Sequence, residues 1–152
     1  MAVVAMIVLC ACNSERGYLD YRGLSMGMSA KAMCDSFIER GFLIDSVTTD
    51  SGSTYALYSN TEKYRISIYY ENDTINDVVE SYAATYNDST SNLWQQLRDK
   101  MANDIHMPYM THRADLHKEA VFKTDEGTIT LILLNTYTPT LSIRYSNHII
   151  DY

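Results

Sequence analysis

No segment of this chain holds the ~20 consecutive apolar residues that a helix needs to cross a bilayer. Its uncharged apolar run, residues 2–11, has about half that length. Lys and Arg form no cluster, and the net charge is −7. Nucleic acid, whose phosphates need grouped basic residues, is therefore disfavoured as a partner, and so is peripheral binding to an anionic membrane surface. With only six Gly and two Pro beside 46% hydrophobic and 20% charged residues, the composition excludes a disordered chain and fits one compact domain with a real core. The chain has no Gly-x-Ser-x-Gly elbow, His-Glu-x-x-His, Cys-x-x-Cys or phosphate-cradling glycine loop. No catalytic residue and no cofactor is assigned on sequence. Three Phe and one Trp are outnumbered by thirteen Tyr, which pair a strand-forming ring with a hydroxyl that can stay wet.

The apolar run closes on Leu9-Cys10-Ala11-Cys12 and is followed at once by polar Asn13-Ser14-Glu15-Arg16. It has the length of a signal-peptide core, although the basic segment that normally precedes one is missing, which we read as a true start codon upstream of Met1. Leu9-Cys10-Ala11-Cys12 resembles the bacterial lipobox, in which the cysteine thiol is alkylated by diacylglycerol and the small residue before it admits a peptidase. One acyl chain holds a protein only marginally, at about 0.8 kcal/mol per buried methylene, whereas two or three hold it firmly. The expected organisation is a lipoprotein signal peptide at 1–11, a lipidated tether at 12–20 and a single α+β domain at 21–152. The polar part of the tether reaches at most about 28 Å at ~3.5 Å per residue. A cleaved signal without lipid and a buried N-terminal strand are the alternatives. If Cys10 leaves with the signal and Cys12 is acylated, Cys34 is the only thiol left and no internal disulfide forms. Cys34 falls on the apolar face of a predicted helix and reads as a small buried hydrophobe.

That helix shows apolar Ala30, Met33, Cys34, Phe37 and Ile38 at helical spacing, with Ser29 as N-cap. Gly41 ends it, placing Phe42 to fold back on Phe37. From Phe42 the period becomes two. Residues 42–49 and 53–59 flank a turn at Asp50-Ser51-Gly52, and 64–71 alternate Tyr64, Ile66, Ile68 and Tyr70 against Arg65, Ser67, Tyr69 and Glu71. Residues 75–86 fit both periods and are read as a strand. A second amphipathic helix starts near Ser91 through Leu93, Trp94, Leu97, Met101 and Ile105, and Pro108 forbids its continuation. Strands are expected at 117–123, 128–135 and 140–146, the middle one central because it is apolar on both faces. The expected fold is an antiparallel sheet with two helices packed on one face, in two helix-plus-strands halves.

Tyr21-Arg22-Gly23-Leu24-Ser25-Met26-Gly27, the helix end Glu39-Arg40-Gly41-Phe42, and Trp94 opening a helix that closes before Pro108 resemble small lipoproteins of Gram-negative gut anaerobes. The likeness covers most of residues 21–146. It departs at Ser25-Met26, where an apolar-Pro pair is commoner, and at His106-Met107-Pro108, which replaces Tyr-Gly-x-Pro. Gly27-Met28-Ser29 ahead of the first helix is similar to the small outer-membrane lipoproteins of barrel assembly, and two such units resemble the β-lactamase inhibitor protein. The resemblance implies a non-catalytic protein lipid-anchored in the bacterial cell envelope, at the outer membrane, although fold alone does not settle function. It also implies O-glycosylation at Ser46, Thr74 and Ser89, each following an Asp in the pattern such organisms use.

His106, His112 and His117, with Asp104 and Asp115 close by, form a reasonable zinc set by residue type. Their spacings of six and five do not stack them on one helix face, so a solvated loop is the expectation. Two function classes remain. The first is an envelope binding or scaffolding module whose outward tyrosines, Tyr69 among them, meet an envelope protein or glycan. The second is a secreted or envelope hydrolase or metal-binding protein using the 106–117 loop.

Overall fold

A computed structural model describes residues 17–49, 52–82, 87–105, 109–114, 117–134 and 139–148. A short hairpin, β1 (Asp20–Tyr21) and β2 (Leu24–Ser25), precedes helix α1 (Ala30–Glu39) and four strands: β3 (Leu43–Thr48), β4 (Ser53–Tyr58), β5 (Tyr64–Glu71) and β6 (Thr74–Tyr82). Helix α2 (Asn87–Ile105) and four more strands follow: β7 (Tyr109–Ala114), β8 (His117–Lys123), β9 (Thr128–Leu134) and β10 (Thr140–Ser146). The eight long strands form one antiparallel sheet in the order β3-β4-β5-β6-β10-β9-β8-β7. Each unit of one helix and four strands thus contributes half the sheet, and the halves meet where the last strand of one pairs with the last strand of the other. The fold is α+β with an antiparallel sheet.

Local chemistry accounts for the ends of α1. Ser29 is extended at φ −67°, ψ 149°, and its Oγ accepts the Ala32 N–H at 3.1 Å. At the other end Gly41 takes φ +94°, a left-handed conformation free of Cβ cost. There the Phe42 N–H reaches the Phe37 carbonyl at 3.0 Å and the Gly41 N–H the Ile38 carbonyl at 3.0 Å. This is the Schellman pattern, completed by the edge-on contact of the Phe37 and Phe42 rings at 5.5 Å. A second cap comes from a distant turn: the Asp73 backbone carbonyl accepts from Ala30 at 2.9 Å and its carboxylate from the Lys31 N–H at 3.0 Å. Asp73 and Asn72 close the β5–β6 hairpin at φ +62° and +49°, as a two-residue primed turn requires. Asp73→Ala is expected to cost about 1–2 kcal/mol, losing a carboxylate cap and placing a less tolerant residue at positive φ. Urea denaturation is the check, and an unchanged midpoint would show that the cap contributes nothing.

Cross-strand register lines up two rows on the buried face: Ile66, Glu80, Ile143, Leu131 and Ala120, and Ile68, Val78, Tyr145, Ile129 and Phe122. Helix α1 lies against β5, and α2 against β8, β9 and β10. Met33, Cys34, Phe37 and Trp94 from the helices belong to the same hydrophobic cluster as the rows. Cys34 is buried, and burial raises its thiol above the ordinary value. Such a thiol is a poor nucleophile.

Several sequence expectations need correction. The second helix begins at Asn87 rather than near Ser91, whereas the segment read as a strand is one as far as Tyr82. Residues 83–86 lie outside the described residues. Tyr109–Ala114, read as part of a solvated loop, is the edge strand β7 paired with β8. An edge strand is held from one side only, so its sequence need not show the alternation that marks interior strands. Leu19 and Asp20, assigned to the tether, are held by the domain: Leu19 is in the core and Asp20 in β1. Gly127 permits this, since a Cβ there would stand 2.1 Å from the Ser146 carbonyl and 2.9 Å from Leu19.

Candidate functional site

The apolar row through the middle of the sheet is interrupted by one acid. Glu80, 1% exposed on β6, sits between Ile66 and Ile143. Its oxygens collect four donors. Oε2 accepts from the Tyr21 hydroxyl at 2.8 Å and Arg22 Nε at 2.8 Å; Oε1 accepts from Arg22 Nη2 at 2.9 Å and from the Tyr82 hydroxyl. A buried ion pair withstands desolvation only when the geometry is good and the remaining lone pairs are filled. Both conditions are met here.

Arg22 reaches the acid because of the N-terminal hairpin. Arg22 and Gly23 form its two-residue turn at φ +53° and +79°, with Tyr21 registered against Leu24. The turn is held from outside by Arg40, whose Nη1 donates to the Arg22 carbonyl at 2.9 Å. The Arg22 guanidinium lies 4.2 Å above the Tyr64 ring, a cation–π contact beside its bidentate grip on Glu80. Asp20 Oδ1 accepts the Gly23 N–H at 2.8 Å, tightening the same turn.

These contacts set the protonation states of the phenols. Burial pushes Tyr21 and Tyr82 well above the ordinary tyrosine value; the Glu80 charge and then the hydrogen bond to Glu80 add to it at Tyr21, and the same hydrogen bond and then the charge at Tyr82. Tyr145 is pushed up to about 12 by burial and then by Glu80. Tyr55, stacked on Tyr70 at 4.8 Å, is also pushed up to about 12, chiefly by its hydrogen bond to Tyr70. An acid whose folded pKa is raised binds its proton more tightly when folded, so its contribution is complete below the unfolded value near 10 and is lost as pH rises through the folded value. Stability should therefore fall from about pH 10 to about pH 12, with tyrosinate absorbance and loss of circular dichroism rising together. Full tyrosinate absorbance below pH 11 with the fold intact would contradict this.

Beside the cluster lies an open cleft of about 270 Å³ lined by Tyr58, Ser59, Glu62, Lys63, Tyr64, Arg65, Ser81 and Tyr82. Tyr64 and Tyr82 are a directly opposed cross-strand pair with ring centroids 5.9 Å apart, and Tyr82 is the residue shared between cleft and buried cluster. The β4–β5 loop is shaped by Ser59, whose Oγ accepts the Thr61 and Glu62 N–H groups at 3.2 and 3.3 Å. Arg65 is paired with Asp45 of β3 at 3.4 Å.

Of the residues singled out on sequence, Cys12, His106 and Asp115 lie outside the described residues. His112 is in β7 opposite Glu119, and His117 is in β8 opposite Ala114 and Leu134. Asp104 is engaged by Lys100 on α2. Among the described residues no group of three or more His, Cys, Asp and Glu is placed to hold a metal ion. Ser46 lies on the exposed edge strand β3 and Thr74 is exposed at the start of β6. Ser89 falls within the first turn of α2. Tyr69 is 39% exposed, on the face opposite the core.

Glu80, Arg22, Tyr21 and Tyr82 were not singled out as site residues on sequence. Val78, Glu80 and Tyr82 alternate, so a strand reading of 75–86 already puts an acid on an apolar face. Of its partners Tyr82 is two residues away on the same strand face, whereas Arg22 and Tyr21 come from 58 and 59 residues away and carry no local sign. No family model matches this chain, and neither a curated protein nor a solved structure matches it. Among the described residues no helix is long and apolar enough to cross a membrane.

Proposed function

We propose that this chain is a lipoprotein of the bacterial cell envelope, anchored at the outer membrane through diacylglycerol on Cys12, and that its α+β domain is a non-catalytic binding or scaffolding module. The observation that carries the second half is the state of Glu80. It is the one buried charged residue among the described residues, and four donors occupy its oxygens. A carboxylate so engaged is committed to holding Tyr82 and Arg22 in place, and offers no lone pair to a reacting group. The rings it steadies line a cleft that presents tyrosine to solvent, the side chain that supplies large contact area at low entropic cost.

The reading extends to architecture and to modification. We place both helices on one face of the sheet, a reading supported by the shared cluster of their buried residues with the two cross-strand rows; crosslinks that put the helices on opposite faces would remove it. Ser46, Thr74 and Ser89 are the O-glycosylation candidates. Mass spectrometry of mature protein from its native envelope reads anchor and glycans together. The expected product starts at Cys12 with a diacylglyceryl thioether, and an unmodified thiol there or retention of residues 1–11 ends the lipoprotein reading. Crosslinking in the same envelope should yield a stoichiometric partner, whereas substrate turnover by the purified protein would overturn the non-catalytic reading.

A further inference from the structure

Resting on the binding-module reading, we propose that the tyrosine cleft is a saccharide site that takes a neutral sugar. Three properties of the cleft lead there. First, its residues come from β4, β5, the loop between them and β6, and each of these strands is paired on both sides. Among the described residues the cleft offers no free strand edge for a peptide to bind by strand addition, so recognition falls to side chains. Second, its charges cancel: Lys63 and Arg65 are balanced by Glu62 and by Asp45, which pairs with Arg65. In a chain of net charge −7, a cleft without positive excess is a poor place for a phosphate or sulfate, and its charged rim is a poor place for an acyl chain.

Third, the rings are preorganised. Tyr82 is tied to Glu80 and Tyr64 lies under the Arg22 guanidinium, so little side-chain freedom is lost on binding. A neutral saccharide presents the matching surface, with apolar C–H faces for the rings of Tyr58, Tyr64 and Tyr82 and hydroxyls for both donors and acceptors around them. At about 270 Å³, just below the usual ~300–1,000 Å³ of small-molecule sites, the open cleft suits one or two sugar rings of a longer chain.

The test uses the full-length chain in a detergent without a sugar headgroup, titrated by calorimetry with neutral oligosaccharides of glucose, mannose and N-acetylglucosamine. Inorganic phosphate and a proline-rich peptide are the competing arms. At least one oligosaccharide is expected to bind, with Tyr58→Ala weakening it by about tenfold, the loss of one good ring contact. Lys63→Ala, on an exposed side chain that bears little on folding, should also weaken it. The proposal is overturned if no oligosaccharide binds, if only phosphate or peptide binds, or if both variants bind as the parent does. Those failures with a stoichiometric crosslinked partner retained would remove the saccharide site alone; an unlipidated Cys12 would instead strike the envelope reading on which it rests.

Discussion

Arg22→Ala is expected to cost the domain about 3–5 kcal/mol, the usual penalty for stripping the partner from a buried charge. The asymmetry of the pair sets the size of the effect. Arg22 has 40% of its side chain exposed and Glu80 2%, so the arginine could turn to water if released, whereas the carboxylate cannot. Removing the arginine leaves an acid in a row of Ile66, Ile143 and Leu131 with only the Tyr21 and Tyr82 hydroxyls to solvate it. The matched control is the quadruple variant Tyr21→Phe, Arg22→Met, Glu80→Leu and Tyr82→Phe. It replaces the whole polar set by apolar groups of similar size and should recover most of the loss, since a buried pair exchanged for packing is commonly neutral or better. Urea unfolding of the three proteins makes the comparison. A cost below about 1 kcal/mol for Arg22→Ala would mean the contact behaves as an ordinary surface ion pair.

Trp94 is the second large effect. It is 1% exposed on α2 and belongs to the cluster that fills the space between helix and sheet. Trp94→Ala should destabilise by about 3–5 kcal/mol through lost transfer energy and the cavity left behind. Trp94→Phe should cost far less, on the order of 1 kcal/mol, because the indole Nε1 is buried without an acceptor among the described residues. The aromatic volume is largely kept, while an unsatisfied donor, itself costly in the core, is removed. The phenylalanine variant does lose part of the Arg98 contact, 5.2 Å over the indole ring. Thermal unfolding of both variants separates the terms, and equal losses would show that indole shape, not aromatic volume, is what the site requires.

Helix α1 was legible from residues 29–42 because its ends are made locally: Ser29 caps within the first turn, and Gly41 and Phe42 close on Phe37 through bonds five residues long or shorter. The alternation of β5 was legible for the same reason, since burying one face imposes a period of two on the residues themselves. The start of α2 was misjudged because Asn87 to Thr90 carry no apolar periodicity, and β7 was missed because an edge strand needs only one partner. The His cluster attracted attention by residue type. Backbone pairing put His112 and His117 in adjacent strands, and the described residues include no metal-holding group.

Composition, period and local hydrogen bonding were thus sufficient for the α+β class, the apolar faces, the buried Cys34 and the Gly41 stop of α1, all of which depend on neighbours within a few positions. The Asp73 cap on α1, the joining of the two halves through β6 and β10, and the arrival of Tyr21 and Arg22 at Glu80 were decided only by tertiary structure. A lone acid on an apolar strand is unfavourable by every local rule. It becomes acceptable when a hairpin almost sixty residues away delivers the charge and hydroxyl that satisfy it.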